Sequence, residues 1–395
     1  MRAVRQPRNH PSIKCLTVAG LVAAAAFAQS SAGIAARPHP VVVTTLLRVA
    51  FTSPSRGVGL FLRSVSQSSD RGRCLLSART TVDGGTRFQT AGRPIFTAVC
   101  GSSYPVSQVA SDDAGDLFAY APGLIESQND GRHWQRVRLG GTIMALATEG
   151  RSAWALRMTG CSHYPGVCVL TLFVSTDAGR SWHAATNQPP RRRLAYAVAA
   201  SGSTWLLRSS ATSATVVLPP SAGSTAAILE QTSDAGRSWT AEKAPCSEGG
   251  GAIDYSVASL GAQWLACAGE PGAGEQQKSF AVSLNRGATW RQGPSCTLAT
   301  RCDKGMPING SLGGLAATNA STAFYVGGRS SLTATRNGGR SWTAEPGFSG
   351  DASGTAEVTF AGAGDGWAID LGVGGHSVLW RTRDGGAHWT RVATP

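Results

Sequence analysis

The chain is poor in charge, in aromatic side chains and in long apolar runs. Charged residues make up 15% of its 395 positions and aromatic residues 7%. So little charge argues against solvent-facing helices, and no acidic or Gln-rich tract gives any stretch a disordered-type composition. Neither CxxC nor HExxH spacing occurs, so no zinc site, other metal site or thiol redox motif is written here. The longest apolar run, "CLTVAGLVAAAAFA" at 15–28, falls short of the roughly 20 residues that span a bilayer.

What is present begins at that run. "MRAVRQPRNHPSIK" precedes it with Arg2, Arg5, Arg8 and Lys14, and small residues follow it. A basic start, a short apolar stretch and a small-residue exit describe a secretory signal over residues 1–36, with cleavage expected between Ala28 and Ala36. Cys15 stands before the apolar stretch, which argues against a lipid anchor. Residues 37–43 read as a linker and 44–395 as one folded domain. Loss of the leader removes four positive charges, taking +13 to +9, and takes nine cysteines to eight. An even count in an exported chain implies disulfides.

One short pattern recurs seven times: "TVDGGTRF", "SQNDGRHW", "STDAGRSW", "TSDAGRSW", "SLNRGATW", "TRNGGRSW" and "TRDGGAHW". The consensus is Ser/Thr-x-Asp/Asn-x-Gly-x-x-Trp/Phe. Its glycines, from Gly85 to Gly386, lie 46, 48, 57, 51, 52 and 47 residues apart, and a period near fifty is the mark of a repeat architecture. The acid position holds Asp83, Asn129, Asp177, Asp234, Asn285, Asn337 and Asp384. Three asparagines keep a hydrogen-bond acceptor and give up the charge, which neither a general acid nor a hard-cation site tolerates. These residues are therefore turn residues that accept backbone N–H groups. Gly supplies positive φ, and the aromatic opens the next strand.

A second pattern keeps step with the first. An aromatic heads an apolar stretch in "GDLFAY", "RSAWAL", "GSTWLL", "GAQWLA", "STAFYV" and "GDGWAI", giving Phe118, Trp154, Trp205, Trp264, Phe324 and Trp367, and Phe61 in "VGLFLR" fits as the first. Ten of eleven tryptophans fall in one of the two repeated positions, so most serve as core rather than as a sugar-stacking platform. Each unit reads as four short strands, as in "MALATEG", "AWALRM", "CVLTLFVS" and "WHAAT". Seven such units make an all-β, seven-bladed β-propeller, four antiparallel strands per blade, with the turn between strands three and four. No strand exchange is needed to close it, and "VVVTTLL" at 41–47 is a candidate extra closing strand.

The boxes resemble those of Asp-box (BNR) repeat proteins, the propeller superfamily of sialidases, xyloglucanases, sortilin-type receptors and the photosystem II assembly-factor family. That resemblance covers nearly all of the chain beyond the leader. It implies a fold, and a box turn on the face away from any ligand, without fixing an activity.

With the box on a lower face, the upper face carries the links between strands two and three and between blades. The cysteines fall in or beside those upper links, which gives the expected pairs Cys74–Cys100, Cys161–Cys168, Cys246–Cys267 and Cys296–Cys302. Three upper stretches read as long loops: "RSSATSATVVLPPSAGST", "AGEPGAGEQQKS" and "GPSCTLATRCDKGMPINGS". Long stapled loops on a rigid scaffold mark a binding surface. "PPRRRLAY" puts Arg191, Arg192, Arg193 and Tyr196 at the entry to blade 4, and "GGGAIDYS" puts Asp254 and Tyr255 at the entry to blade 5, with Glu248 just upstream.

A sialidase-like site would need arginines for a carboxylate, a tyrosine nucleophile with a glutamate partner, and an acid. The residue types occur, but the Arg-Ile-Pro element of that branch does not; "GRPIF" at 92–96 is not it. The excess positive charge is spread around the ring at Arg132, Arg180, Arg237 and Arg340, with no basic tract and interleaved aromatics, so nucleic acid is not an expected partner. An anionic envelope surface suits it better. The expectation is an exported, monomeric, cofactor-free scaffold that binds a protein or glycan at its upper face, with a glycoside hydrolase in the channel as the alternative.

Overall fold

A computed structural model describes residues 41–393 apart from 67–71, 91, 113, 162–166, 192, 196–204, 219–225, 246–252, 258–261, 273, 295–304, 309, 328–329, 349–354 and 373–375. Seven separate antiparallel sheets follow one another along the chain. Blade 1 comprises Val41–Phe51, Gly57–Ser66, Arg73–Thr81 and Gln89–Thr90. Blade 2 comprises Gln108–Ser111, Leu117–Tyr120, Leu124–Ser127 and Gln135–Arg136, and blade 3 Thr142–Glu149, Ser152–Thr159, Val167–Ser175 and His183–Ala184. Blade 4 holds Trp205–Arg208, Ala214–Leu218, Ala226–Thr232 and Thr240–Pro245; blade 5 holds Ile253–Val257, Gln263–Gly272, Glu275–Ser283 and Arg291–Gln292. Blade 6 is Leu312–Ala317, Ala323–Gly327, Ser330–Thr335 and Thr343–Ala344, and blade 7 Thr355–Ala361, Asp365–Leu371, Ser377–Thr382 and Thr390–Ala393. First strands of successive blades are neighbours around a closed ring, so the fold is a seven-bladed β-propeller.

The box turn is built the same way seven times. In blade 3 the Ser175 hydroxyl accepts the Gly179 N–H at 2.8 Å and donates to Asp177 Oδ1 at 2.8 Å, which in turn accepts the Ser181 N–H at 2.9 Å. Asn285 does the same through its own Oδ1, on Ser283 at 3.0 Å and the Thr289 N–H at 2.8 Å. Only the second side-chain atom differs: Asp177 Oδ2 accepts the Ser181 hydroxyl, whereas Asn285 Nδ2 donates to the Thr289 hydroxyl. This is why the charge is dispensable. The box also leans on its own blade, where the Ala178 N–H donates to the Arg151 carbonyl in the turn between strands one and two. Gly84, Ala235, Gly338 and Gly385 repeat that bond in blades 1, 4, 6 and 7.

Each box glycine has φ between 79° and 92°, a region that costs a side chain dearly. At Gly179 and Gly386 there is also no room, because a Cβ would stand 2.7 Å from Phe118 and 2.0 Å from Phe324 of the preceding blade. That contact explains the second repeated aromatic. On strand two it lies one residue past the partner of the box hydroxyl residue, as Trp154 follows Ala153, the partner of Ser175. From there Phe118 meets Trp182, Trp154 meets Trp239, Trp264 meets Trp342 and Phe324 meets Trp389, with ring centroids 5.7–6.4 Å apart. The aromatics cement blade to blade, and the side-chain pairs gain beyond the area they bury.

Register corrects the sequence reading in blades 1 and 4. Gly57 pairs with the box residue Thr81, so the position is held by Val58, and Phe61 lies three residues beyond it. In blade 4 Ala214 pairs with Thr232, so Thr215 holds the position. Trp205 belongs to the innermost strand rather than the second, and the expected loop "RSSATSATVVLPPSAGST" contains strand two, Ala214–Leu218. Likewise "AGEPGAGEQQKS" is not a long loop: Gln263–Gly272 pairs directly with Glu275–Ser283. Nor does "VVVTTLL" add a closing strand. It is part of the innermost strand of blade 1, which begins at Val41, inside the expected 37–43 linker.

Closure rests on side chains between blades 7 and 1. Phe51 stacks on Trp367 at 3.6 Å between centroids, and Trp367 Nε1 donates to the Gly84 carbonyl at 2.9 Å. The Leu46 N–H donates to Ser377 Oγ at 2.7 Å, and Arg381 reaches the Pro54 carbonyl at 2.6 Å while pairing with Asp365.

Candidate functional site

Among several places where the described residues gather ionisable groups, two bear on the expected site. The first joins blades 7, 1 and 2: Arg48 is on the innermost strand of blade 1, Glu357 on the innermost strand of blade 7 and Tyr120 on strand two of blade 2, near enough for the charges of Glu357 and Arg48 to act on the phenol. All three side chains are half-buried. Glu357 Oε2 accepts the Val49 N–H at 3.0 Å, which ties the carboxylate to the neighbouring blade. Burial pushes Glu357 up to about 7 against the opposing pull of Arg48 and that N–H. Tyr120 is pushed up to about 12, first by burial and then by the charge of Glu357. A tyrosine nucleophile needs the reverse shift, so this phenol is a neutral hydrogen-bonding group.

The second place is the seam between blades 3 and 4. Glu230, fully buried on strand three of blade 4, accepts the Arg191 N–H through Oε1 at 3.1 Å. Its pKa is raised by burial, with that N–H and the Arg191 charge opposing. Arg191 also borders a narrow apolar crevice with Leu156, Leu170, Leu172, Val216 and Leu218. Glu230, Glu357 and Arg48 carry no repeated signal, and the sequence reading passed over all three.

Of the expected upper-face residues, Arg191 and Arg193 are exposed. Arg193 does not open blade 4: Arg193–Ala195 pairs with Val167–Val169 as a second piece of the outer strand of blade 3, on the rim and away from the axis. Its neighbour Leu194 is drawn into the core of that blade, which fixes the pairing. Asp254 and Tyr255 lie on the innermost strand of blade 5, their side chains outside the described residues. Arg192, Tyr196 and Glu248 lie outside the described residues altogether, so the structure does not bring the expected set together.

Cys74 is bonded to Cys100 and Cys161 to Cys168, both toward the upper face. The first ties strand three of blade 1 to Phe96–Val99, again a second piece of an outer strand, and the second closes the link between strands two and three of blade 3. Cys267 is also disulfide-bonded, while Cys246, Cys296 and Cys302 lie outside the described residues.

Much of the basic charge is structural. Arg336 donates to the Gly386 carbonyl at 2.6 Å and pairs with Glu345, and Arg291 donates to the Gly338 carbonyl, each bolting one blade to the next box. Among the described residues no group of His, Cys, Asp and Glu is placed to hold a metal ion.

No known protein-family pattern matches the chain, and no curated protein matches it. Solved structures do. YCF48 bound to D1 peptide aligns over 74% of this chain and 82% of its own at 13% identity, with a TM-score of 0.48. The Hadza microbial sialidase Hz136 aligns over 72% and 63% at 12% identity and TM-score 0.40. The acylaminoacyl peptidase of Pyrococcus horikoshii aligns over 89% of this chain and 52% of its own at 8% identity and TM-score 0.50. Sequence identities this low express a shared fold and nothing finer.

Proposed function

We propose that this protein is an exported, non-catalytic scaffold whose upper face holds a protein or glycan partner. The observation that carries the reading is the pair of disulfides that staple chain segments toward the upper face. Arg48, Glu357 and Tyr120, near one another across blades 7, 1 and 2, add a cation and hydrogen-bonding groups. Disulfides toward the upper face support an oxidising compartment and a face kept rigid for binding. Arg191 and Arg193 on the outer side of blade 3, and Asp254 and Tyr255 on the inner strand of blade 5, are the remaining candidates, with Arg192, Tyr196 and Glu248 from the same stretches.

A glycoside hydrolase is the second reading, since a tyrosine, a glutamate and an arginine stand near one another across blades 7, 1 and 2. Incubating the disulfide-intact protein with a panel of fluorogenic glycosides, sialosides included, separates the two. The scaffold reading expects no turnover. Turnover abolished by Tyr120→Phe or Glu357→Gln would replace it with the hydrolase.

A further inference from the structure

The seam between blades 1 and 2 holds a cavity on the lower face. Among the described residues, side chains cross every other seam at or beside the place of the repeated aromatic. Aromatic pairs occupy the four already described, Phe51 on Trp367 closes seam 7–1, and a Gln263–Gln231 bond at 3.0 Å, with Gln231 on the Arg286 carbonyl, fills seam 4–5. Seam 1–2 has only Val58 in the aromatic's place. Beside it a groove of about 380 Å³ opens between strands two to four of blade 1 and the box turn of blade 2.

Its lining is polar. Arg56 comes from the blade 1 turn and Arg132 from the blade 2 box, so two exposed guanidinium groups approach from different blades, and neither makes an ion pair among the described residues. Thr80, Gln89 and Asp130 supply donors and acceptors along the walls. Gly57, Leu117 and Ser111 are buried there. Ser111 is 8% exposed, and its hydroxyl is buried without a hydrogen-bond partner. A buried hydroxyl left unpaired in a polar cavity is a vacancy for a ligand group or water.

We propose that this groove binds a carboxylate-bearing sugar unit. The volume is that of a dozen or so waters at roughly 30 Å³ each, too large for a lone inorganic anion and right for one or two pyranose rings. An arginine fork binds a carboxylate bidentately, while threonine, serine, glutamine and aspartate side chains match ring hydroxyls. Among the lining residues there is no aromatic side chain, which tells against a nucleobase. The site is on the face opposite the scaffold's upper surface, and it stands or falls independently of that reading.

Saturation-transfer NMR and calorimetry on the full mature protein would use methyl β-glucuronide, methyl β-glucoside and inorganic phosphate. The glucuronide should bind, with the glucoside and phosphate each at least tenfold weaker. The double variant Arg56→Gln/Arg132→Gln should lose at least tenfold in glucuronide affinity at unchanged Tm. Val58→Phe, which places beside the groove the aromatic that seams 2–3, 3–4, 5–6 and 6–7 have at this position, should block binding. No glucuronide binding, phosphate binding as tightly as the glucuronide, or an Arg56→Gln/Arg132→Gln protein that binds as before overturns the proposal. A folded Val58→Phe protein with undiminished affinity does so too. Should that variant not fold, the arginine pair decides.

Discussion

Seams 1–2 and 2–3 join the same parts in the same order, and one residue separates them. At seam 2–3 Phe118 reaches under Gly179 and meets Trp182 edge-on; at seam 1–2 Val58 stops short, among Leu60, Leu76, Val106 and Val109 beside Trp134. At this position seam 2–3 is closed by an aromatic pair, while seam 1–2 has a polar groove beside it. Neighbouring blades of one repeat can thus differ by a single side chain at a repeated position. The box turns on either side keep their geometry.

The sharpest way to break this comparison is to truncate both residues. Phe118→Ala should cost about 3–5 kcal/mol of stability, whereas Val58→Ala should cost about 2 kcal/mol, read by guanidinium unfolding. Equal losses would mean that the aromatic does not cement its seam. The box comes next. Ser175→Ala removes the acceptor of the buried Gly179 N–H and should cost about 1–2 kcal/mol in the same assay. An unchanged midpoint would show that the hydroxyl is spectator to the turn.

Seam 7–1 differs from both in resting partly on an ionisable group. Glu357 has its folded pKa raised from 4.5 to about 7, so its stabilising contribution is complete below pH 4.5 and is lost as pH rises through about 7. A Tm profile of the wild-type protein should fall across that window relative to Glu357→Gln, and parallel profiles would remove Glu357 from the account. The smallest effect belongs to Asp177→Asn, because Asn285 already makes the same Oδ1 bonds. Near neutral pH the two proteins should melt together. In acid they should part, since Asp177 is lowered from 3.8 to about 2 by the Ser181 and Ser175 bonds. The stability this gives is present above 3.8 and lost as pH falls toward 2.

The fold was legible in the sequence because its signal is periodic: seven boxes at near-constant spacing leave little else to build. Register was not legible where a blade departs from the others. Between Gly179 and Gly236 the spacing is the longest of the six, 57 residues, and two apolar stretches, "TWLLR" and "ATVVL", compete for strand two. The aromatic favoured the first, but cross-strand pairing of Ala214 with Thr232 selects the second. Phe61 misled for the same reason, since its distance from the box matters less than which residue faces Thr81. Groups assembled across blades were harder still. Arg48, Glu357 and Tyr120 stand far apart in sequence and come together only when the ring closes, and a single strand shows nothing unusual at any of them. Ser111 and the groove were not legible because the lining is gathered from two blades and only the folded ring brings it together.

The way the ring shuts sets an order in time. Leu46 and Ser377 are separated by 331 positions, and Trp367 and Gly84 by 283, so the first blade cannot meet its last neighbour until nearly the whole chain has emerged. Contacts of such long range are entropically costly and form slowly. Throughout elongation, Phe51 and the edge of blade 1 that meets blade 7 remain uncovered. Until blade 7 is made the chain is an open row of blades, and only then can it become a ring.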